Sequence, residues 1–389
     1  GVLKVNTTGR NNVAIGDSIL EKNTTGYSNT GVGHASLTNN TTGYANTGVG
    51  YASLFENTTG NNNTAVGSLS LTNNTTGEKN TAIGYKSLYN NTTGCYNTAS
   101  GYQSLENNTT GIYNTAIGYQ SLENNTTGSY NIASGTSALD NNTTGSYNTA
   151  SGYQSLYSNT VGINNTASGS FSLKNNTTGN NNTASGYYSL YKNTTGNNNT
   201  ASGYQSLFRN TTGSENTASG KWSLANNTTG NNNIAVGYQA GDTITTGSDN
   251  VVIGTTSRTS AAGVDNEILI GKGITGKGSN IAVIGNDDIT NVYMGSDSGA
   301  TVHCAGISNT TTAGLLLYKT NGGTAEKITI QNDQGSASDA IKLDSVAGGI
   351  TIGNTSNSNN KLFFSNLPTS SSGLVTGQVY NDSGTLKIV

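Results

Sequence analysis

The chain is short of nearly everything a compact enzyme uses. It has one proline, one tryptophan, one methionine, two histidines and two cysteines in 389 residues. Cys95 and Cys304 lie too far apart to read as a disulfide framework. With no Cys-x-x-Cys or His-x-His pair, neither they nor the isolated His34 and His303 form a metal motif. Charge is scarce as well, at 10% of residues and a net of -3. That leaves no electrostatic case for a nucleic-acid partner or an anionic membrane surface. No apolar run approaches the ~20 residues of a membrane helix, so membrane insertion is not expected. There is no Ser/His/Asp arrangement, phosphate loop or calcium-binding nonapeptide. The expectation is therefore no catalytic residue, no cofactor, no metal and no enzymatic activity.

A secretory signal is also missing. The chain starts at Gly1, its only methionine is Met294, and residues 2–5 lead straight into a repeat. It is expected to be processed or to be part of a longer polypeptide. Hydrophobic residues make up 32%, too little for ordinary globular packing. Disorder, however, normally needs high charge with low hydrophobicity. The balance is filled by Asn, Thr, Ser and 53 glycines, which are turn-forming and ladder-forming residues.

They are arranged in a repeat. Asn-Thr-Thr-Gly, or a close variant, starts at Asn6, Asn23, Asn40 and onward every 17 residues to Ile244, fifteen copies without an insertion. The consensus is Asn-Thr-Thr-Gly-x-x-Asn-Thr-Ala-x-Gly-Tyr-x-Ser-Leu-x-x. So strict a period means that each copy is one structural unit stacked on the next. Glycine and Asn-Thr pairs oppose helix. Asn-Thr-Ala-x-Gly and Tyr-x-Ser-Leu read as short strands. Glycines such as Gly111 and Gly118 read as corners that need positive φ or close approach. One copy is then one coil of an all-β parallel β-solenoid, or β-roll. At ~4.8 Å per coil, fifteen coils make a rod on the order of 70 Å long. Leu88, Leu105, Leu122 and Leu156, with Ala99 and Ala116, are expected inside. So thin a core calls for two supports. One is an amide ladder through Asn97, Asn114, Asn131 and Asn148. The other is a homotrimer that buries one face of each chain.

The rhythm of Asn12–Gly16, Asn80–Gly84 and Asn114–Gly118 (Asn-x-Ala-Ile-Gly) resembles the head repeats of trimeric autotransporter adhesins. That resemblance covers residues 6 to 290 and implies a trimeric left-handed β-roll. Beyond residue 247 the strict period gives way. Asn250, Asn266 and Asn280 open three further strand motifs at spacings of 16 and 14. Short strands are expected at 292–295, 327–330, 340–343 and 348–353. The stretches 340–353 and 367–388 resemble bacteriophage tail fibre and virion appendage proteins. The chain thus divides into a regular solenoid (1–247), an irregular continuation (248–290) and a β-rich fibre region (291–389).

Columns of equivalent positions supply the candidate sites. Tyr96, Tyr113, Tyr130 and Tyr147 form one, and Tyr102, Tyr119 and Tyr153 belong to another. Exposed aromatics can stack on sugar rings, or they can pack coil on coil. Glu106, Glu123 and Asp140 form a third column. Close carboxylates suit a glycosidase or a cation site, and the bland alternative is a solvated face. The variable positions, which also include Gln103, Asn181, Asn198, Tyr188, Phe208 and Trp222, are expected to face solvent or a partner. Asn-Thr-Thr is formally a glycosylation sequon, but the coil spacing favours a capped Asn/Thr ladder.

The function these features imply is a structural fibre segment. It would belong to a phage tail fibre or virion appendage, outside the cell, acting as spacer and host-surface attachment element with a host glycan as a partner. The alternative is the head of a bacterial surface adhesin. Two further readings are an ice-binding solenoid through Thr98, Thr115 and Thr149, a column broken by Ile132, and a polysaccharide-degrading tailspike using the acidic column.

Overall fold

A computed structural model describes residues 1–289 and the backbone of 379–382 and 385–388. Seventeen strands, from Val13–Asp17 to Ala282–Ile284, form one parallel sheet. Each strand pairs with the next in chain order, and Thr98↔Thr115, Ala99↔Ala116 and Ser100↔Ile117 is the typical register. The offset is 17 residues from the first pair to Val251↔Ile268. The chain is therefore a parallel β-solenoid whose coils match the sequence period.

Each coil carries one strand, not the two expected. The strand is Thr-Ala-x, with its alanine buried. Tyr-x-Ser-Leu is instead a turn in which two non-glycine residues are left-handed, as at Gln120 (φ 52°) and Leu122 (φ 50°). Left-handed leucine is sterically costly, yet it recurs in each coil from Leu20 to Leu224 and passes to Gly241 (φ 64°). The turn places the leucine side chain in the interior, where burial returns ~1.5–3 kcal/mol. It also keeps the backbone paired on both sides. Gln120 N donates to Tyr102 O of the preceding coil, and Leu122 N donates to Ala138 O of the following one.

The interior matches expectation in its leucines and alanines. Leu105, Leu122 and Leu156 are fully buried in one continuous cluster with Ala99 and Ala116. Two asparagines and a serine per coil are buried beside them, so the core is as much amide as hydrocarbon. Asn125 Nδ2 donates to Asn108 Oδ1 at 2.8 Å and to Gly128 O at 2.9 Å. Asn114 N donates to Asn97 Oδ1, and Asn114 Nδ2 donates to Gly128 O. Along these ladders the buried amides are thus partnered by adjacent coils, which removes the penalty of burying them; the first ladder ends at Asn227, where Ile244 follows and Asn227 Oδ1 is left buried without a partner. From Asn23 to Asn227 the asparagines that open each Asn-Thr-Thr or Asn-Thr-Val are ladder members shielded from solvent, while Asn6 of the first coil is exposed.

The two glycines of each coil serve different ends. Gly118 sits at φ +129°, a conformation L side chains rarely adopt, with Gly135 O 2.6 Å from where a Cβ would stand. Gly111 has no such φ, but a Cβ there would meet Asn108 Oδ1 and Gly128 O.

The spacing of 16 from Asn250 to Asn266 does not mark an altered coil. Val251 pairs with Ile268, so this coil is also 17 residues long, and Glu267 rather than Asn266 stands in the ladder position. Glu267 is fully buried, and its N donates to Asn250 Oδ1. Its carboxylate accepts from the backbone N–H groups of Ser260, Lys277 and Gly278. Asn266 takes the left-handed position before it (φ 54°). Only the next step shortens, to 14. A longer acceptor is needed here because the shortened coil presents backbone donors where an asparagine partner would otherwise sit.

Residues 299–389 form a separate unit. In it Val379–Asp382 and Thr385–Ile388 pair as an antiparallel hairpin. The strands expected between 292 and 353, with His303 and Cys304, lie outside the described residues.

Candidate functional site

Numbering a coil from its first Asn, positions 6, 8, 10, 12, 13 and 16 carry the outward or variable side chains. Position 6 holds the first tyrosine column. Tyr96, Tyr113, Tyr130 and Tyr147 stack with successive centroids 4.6, 5.1 and 5.0 Å apart and planes within 13° of parallel. Each is left-handed and about half exposed. Both faces of Tyr113 and Tyr130 are consumed by neighbouring rings, so a sugar cannot lie flat on them. Lys79 closes one end, with Nζ 2.9 Å from Tyr96 OH and 4.8 Å from the ring centroid. The following member of the column is Asn164, so the stack ends at Tyr147, the most exposed of the four at 58%. What the column offers a ligand is a row of phenol edges and one terminal ring. Packing and exposure, weighed as alternatives in sequence, coexist.

At position 12 Tyr85, Tyr102 and Tyr119 stack at 5.3 and 5.2 Å. Thr136 interrupts that column, and Tyr153 instead meets Phe171 edge-on.

The carboxylate column at position 16 is not the solvated face expected. Glu106 is 8% exposed and Asp140 7%. Position 16 leans against position 13 of the preceding coil, which is how Lys86 Nζ reaches Glu106 Oε1 at 3.2 Å. Glu106 Oε2 is buried with no hydrogen-bond partner. Burial, then the Asp140 and Glu106 charges, push Glu123 up to about 7. Burial also raises Asp140, opposed by hydrogen bonds from Ser137 and Asn124. Among the described residues no group of three acidic, His or Cys side chains is placed to hold a metal ion.

A pH effect follows. Because its folded pKa is raised, Glu123 holds a proton in the native chain at pH values where the unfolded chain has lost it. Stability therefore falls as pH rises from the ordinary carboxylate range to about 7. Glu123→Gln is expected to flatten that slope and to stabilise the chain above pH 7. Solvent screening of the half-buried group limits the gain to the order of 1 kcal/mol. Denaturant titrations of both proteins at pH 5 and pH 8 check it.

Several features escaped the sequence reading. Thr109 Oγ1 donates to Thr126 O and its equivalents repeat the bond, leaving their methyl groups beside an amide column formed by Asn90, Asn107 and Asn124. Between the two columns runs a groove of about 1160 Å³. On the sheet's outer face, positions 8 and 10 read Thr–Ser in five consecutive coils from Thr149/Ser151 to Thr217/Ser219. These ten outward hydroxyls donate no hydrogen bond within the described residues. Beyond them the same face turns apolar, with Ile234, Val236, Ile253 and Ile270 exposed. Positions 13 and 16 together form an aromatic cluster of Phe171, Tyr188, Tyr191 and Phe208, while Trp222 meets Tyr204 and Tyr238 of position 12. The signal for it lies in reading those two positions as neighbours across adjacent coils.

Comparison with protein-family models and with curated proteins finds no match for this chain.

Proposed function

We propose that the solenoid is the shaft segment of an extracellular fibre, a phage tail fibre or virion appendage, which acts as a spacer and contributes to host-surface attachment. The observation that carries this reading is the unbroken parallel ladder. Sixteen successive pairings without a missed strand correspond to roughly 80 Å of stiff rod at the strand spacing. Backbone bonds join every coil to its neighbours, and two amide ladders run beside them, one as far as Asn227 and the other as far as Asn250. Such a body supports reach and repeated display rather than catalysis, and weak contacts at fixed spacing add up to avidity.

The assembly we propose is a homotrimer. The thin core is not its warrant, since one chain closes its own interior. The support is the exposed apolar outer face at Ile234, Val236, Ile253 and Ile270, which a neighbouring chain would cover. Sedimentation is expected to give a trimer whose length falls by about 19 Å when four whole coils are removed. A folded monomer would sink the assembly.

For attachment, the test is the quadruple variant Tyr96→Phe, Tyr113→Phe, Tyr130→Phe, Tyr147→Phe. It keeps the ring stack and removes the phenol edges. Weaker retention on host cells with an unchanged Tm is the expected result. Unchanged retention would assign the column to packing alone.

A second reading draws on the outer hydroxyls. Five Thr–Ser pairs, spaced about 4.8 Å between coils and about 6.6 Å within a strand, form an uncharged lattice that can order water against ice. The Ile132 break seen in sequence lies outside this patch. On that reading the chain retards ice recrystallisation and Thr183→Lys abolishes the effect. A wild-type chain without effect removes it.

A further inference from the structure

Side chains at position 16 stack along the rod. Tyr191 and Phe208 lie with centroids 5.4 Å apart and planes 7° from parallel. The next member of that column is Ala225, and the one after is Asp242. The ring that would continue the stack is missing. In its place is a notch of about 360 Å³ bordered by Phe208, Trp222, Arg209, Gln239 and Asn226. That volume falls in the range of small-molecule clefts, roughly 300–1,000 Å³, which combine aromatic walls with a few placed polar groups.

The polar groups fall into two sets. Some are already committed and hold the walls. Asp242 is clamped by Arg258 through Nε–Oδ1 at 2.8 Å and Nη2–Oδ2 at 3.0 Å. Trp222 Nε1 donates to Gln205 Oε1 at 2.6 Å, which fixes the indole. Lys221 Nζ lies 4.3 Å from the indole centroid. Asn226 Nδ2 donates to Asp242 O at 2.7 Å and keeps its carbonyl oxygen for another donor. The side chains of Arg209 and Gln239 form no hydrogen bond or ion pair among the described residues, and both border the notch. A pyranose ring suits such a place. Its C–H face packs on an aromatic ring and its rim of hydroxyls takes donors and acceptors at the edge.

We propose that the notch at Ala225 binds a single pyranose residue of a glycan, seated where the column lacks its ring. The sugar stacks on Phe208, and its hydroxyls meet Arg209, Gln239 and Asn226. The inference rests on the attachment reading in taking its ligand from a surface glycan.

Trp222 is the chain's only tryptophan, so its fluorescence reports on this notch alone. The probes are the methyl glycosides of glucose, galactose, mannose and N-acetylglucosamine, added to the full chain. At least one is expected to give a saturable change. Ala225→Phe fills the notch with the residue the column already carries at Phe208. It is expected to keep the wild-type Tm and to weaken the titration by at least about tenfold. Arg209→Gln should weaken it while leaving the notch open. A flat wild-type titration with all four glycosides overturns the site, as does an Ala225→Phe variant that titrates like wild type. Retention on glycan-coated surfaces is measured in parallel. A flat titration with retention intact overturns the notch and leaves the attachment reading standing. A saturable titration without retention upholds the notch and removes that reading.

Discussion

Gly118→Ala is expected to destabilise the chain by about 3–5 kcal/mol. Two costs combine. The residue sits at φ +129°, where an L side chain is strained whatever space surrounds it. The added Cβ would also stand 2.6 Å from Gly135 O and 2.8 Å from its carbonyl carbon. Those atoms are backbone of the next coil, so relief requires moving a strand and not a side chain. Gly118 N is itself bonded to Ser100 O, so the preceding coil resists as well. A solenoid is a chain of nearest-neighbour interfaces, and damage at one coil therefore weakens the contacts on both sides of it. Thr110→Ala is the control. It is exposed and makes no side-chain hydrogen bond, and it should stay within about 0.5 kcal/mol of wild type. Chemical denaturation of the three proteins decides the matter. A Gly118→Ala chain that unfolds with wild type would mean that this corner does not have the left-handed geometry described.

How much of this was legible in sequence depends on what kind of signal each feature leaves. The coil and its interior were legible, because stacking converts a residue count directly into a spatial neighbour. Leu105 and Leu122 must superpose if the period holds, and they do. The left-handed turn at Gln120 and Leu122 was not legible. Positive φ is usually announced by Gly, Asn or Asp, and here it is imposed by the need to bury a leucine while pairing both ways. The same reasoning explains the misread coil beyond residue 250. Asn266 looked like the ladder residue by identity, whereas hydrogen-bond register selects Glu267. Identity is a weaker guide than position once a repeat begins to decay.

The candidate sites show the same division. The tyrosine column was visible as a column, but its 5 Å stacking, which uses up ring faces, depends on side-chain direction. The acidic column was visible too, yet its burial came from position 13 of the preceding coil leaning over it, as Lys86 does over Glu106. That contact spans 20 residues rather than 17 and so falls off the lattice of equivalent positions. The notch at Ala225 is the opposite case. It exists because one column loses its large side chain for a single coil, and a consensus reading averages such a loss away.

The amide ladder leads to the remaining large effect. Asn125→Asp is expected to cost roughly 3–5 kcal/mol at pH 7. The native amide is fully buried. Its Nδ2 donates to Asn108 Oδ1 and Gly128 O, and its Oδ1 accepts from Asn142 Nδ2 at 2.8 Å. The substitution preserves shape and replaces a donor with an oxygen that faces two acceptors. It also brings a charge into the core with no cation beside it. Burial favours the neutral acid, so the new carboxyl has a folded pKa above its unfolded one. The native state then holds a proton that the unfolded state releases, and the variant loses stability as pH rises through the folded pKa. Below the unfolded pKa the acid can still donate one hydrogen bond, and most of the penalty disappears. Asn125→Ala separates the two contributions. It leaves Asn108 Oδ1 and Gly128 O unpaired and also removes the acceptor of Asn142 Nδ2, at about 1–3 kcal/mol for a lost buried partner, but it introduces no titrating group. Denaturant midpoints for both variants between pH 4 and pH 8 should diverge steadily from each other, with the Asp chain falling and the Ala chain parallel to wild type. Parallel curves for all three would show that the column at Asn125 is open to water, and the interior described here would have to be abandoned.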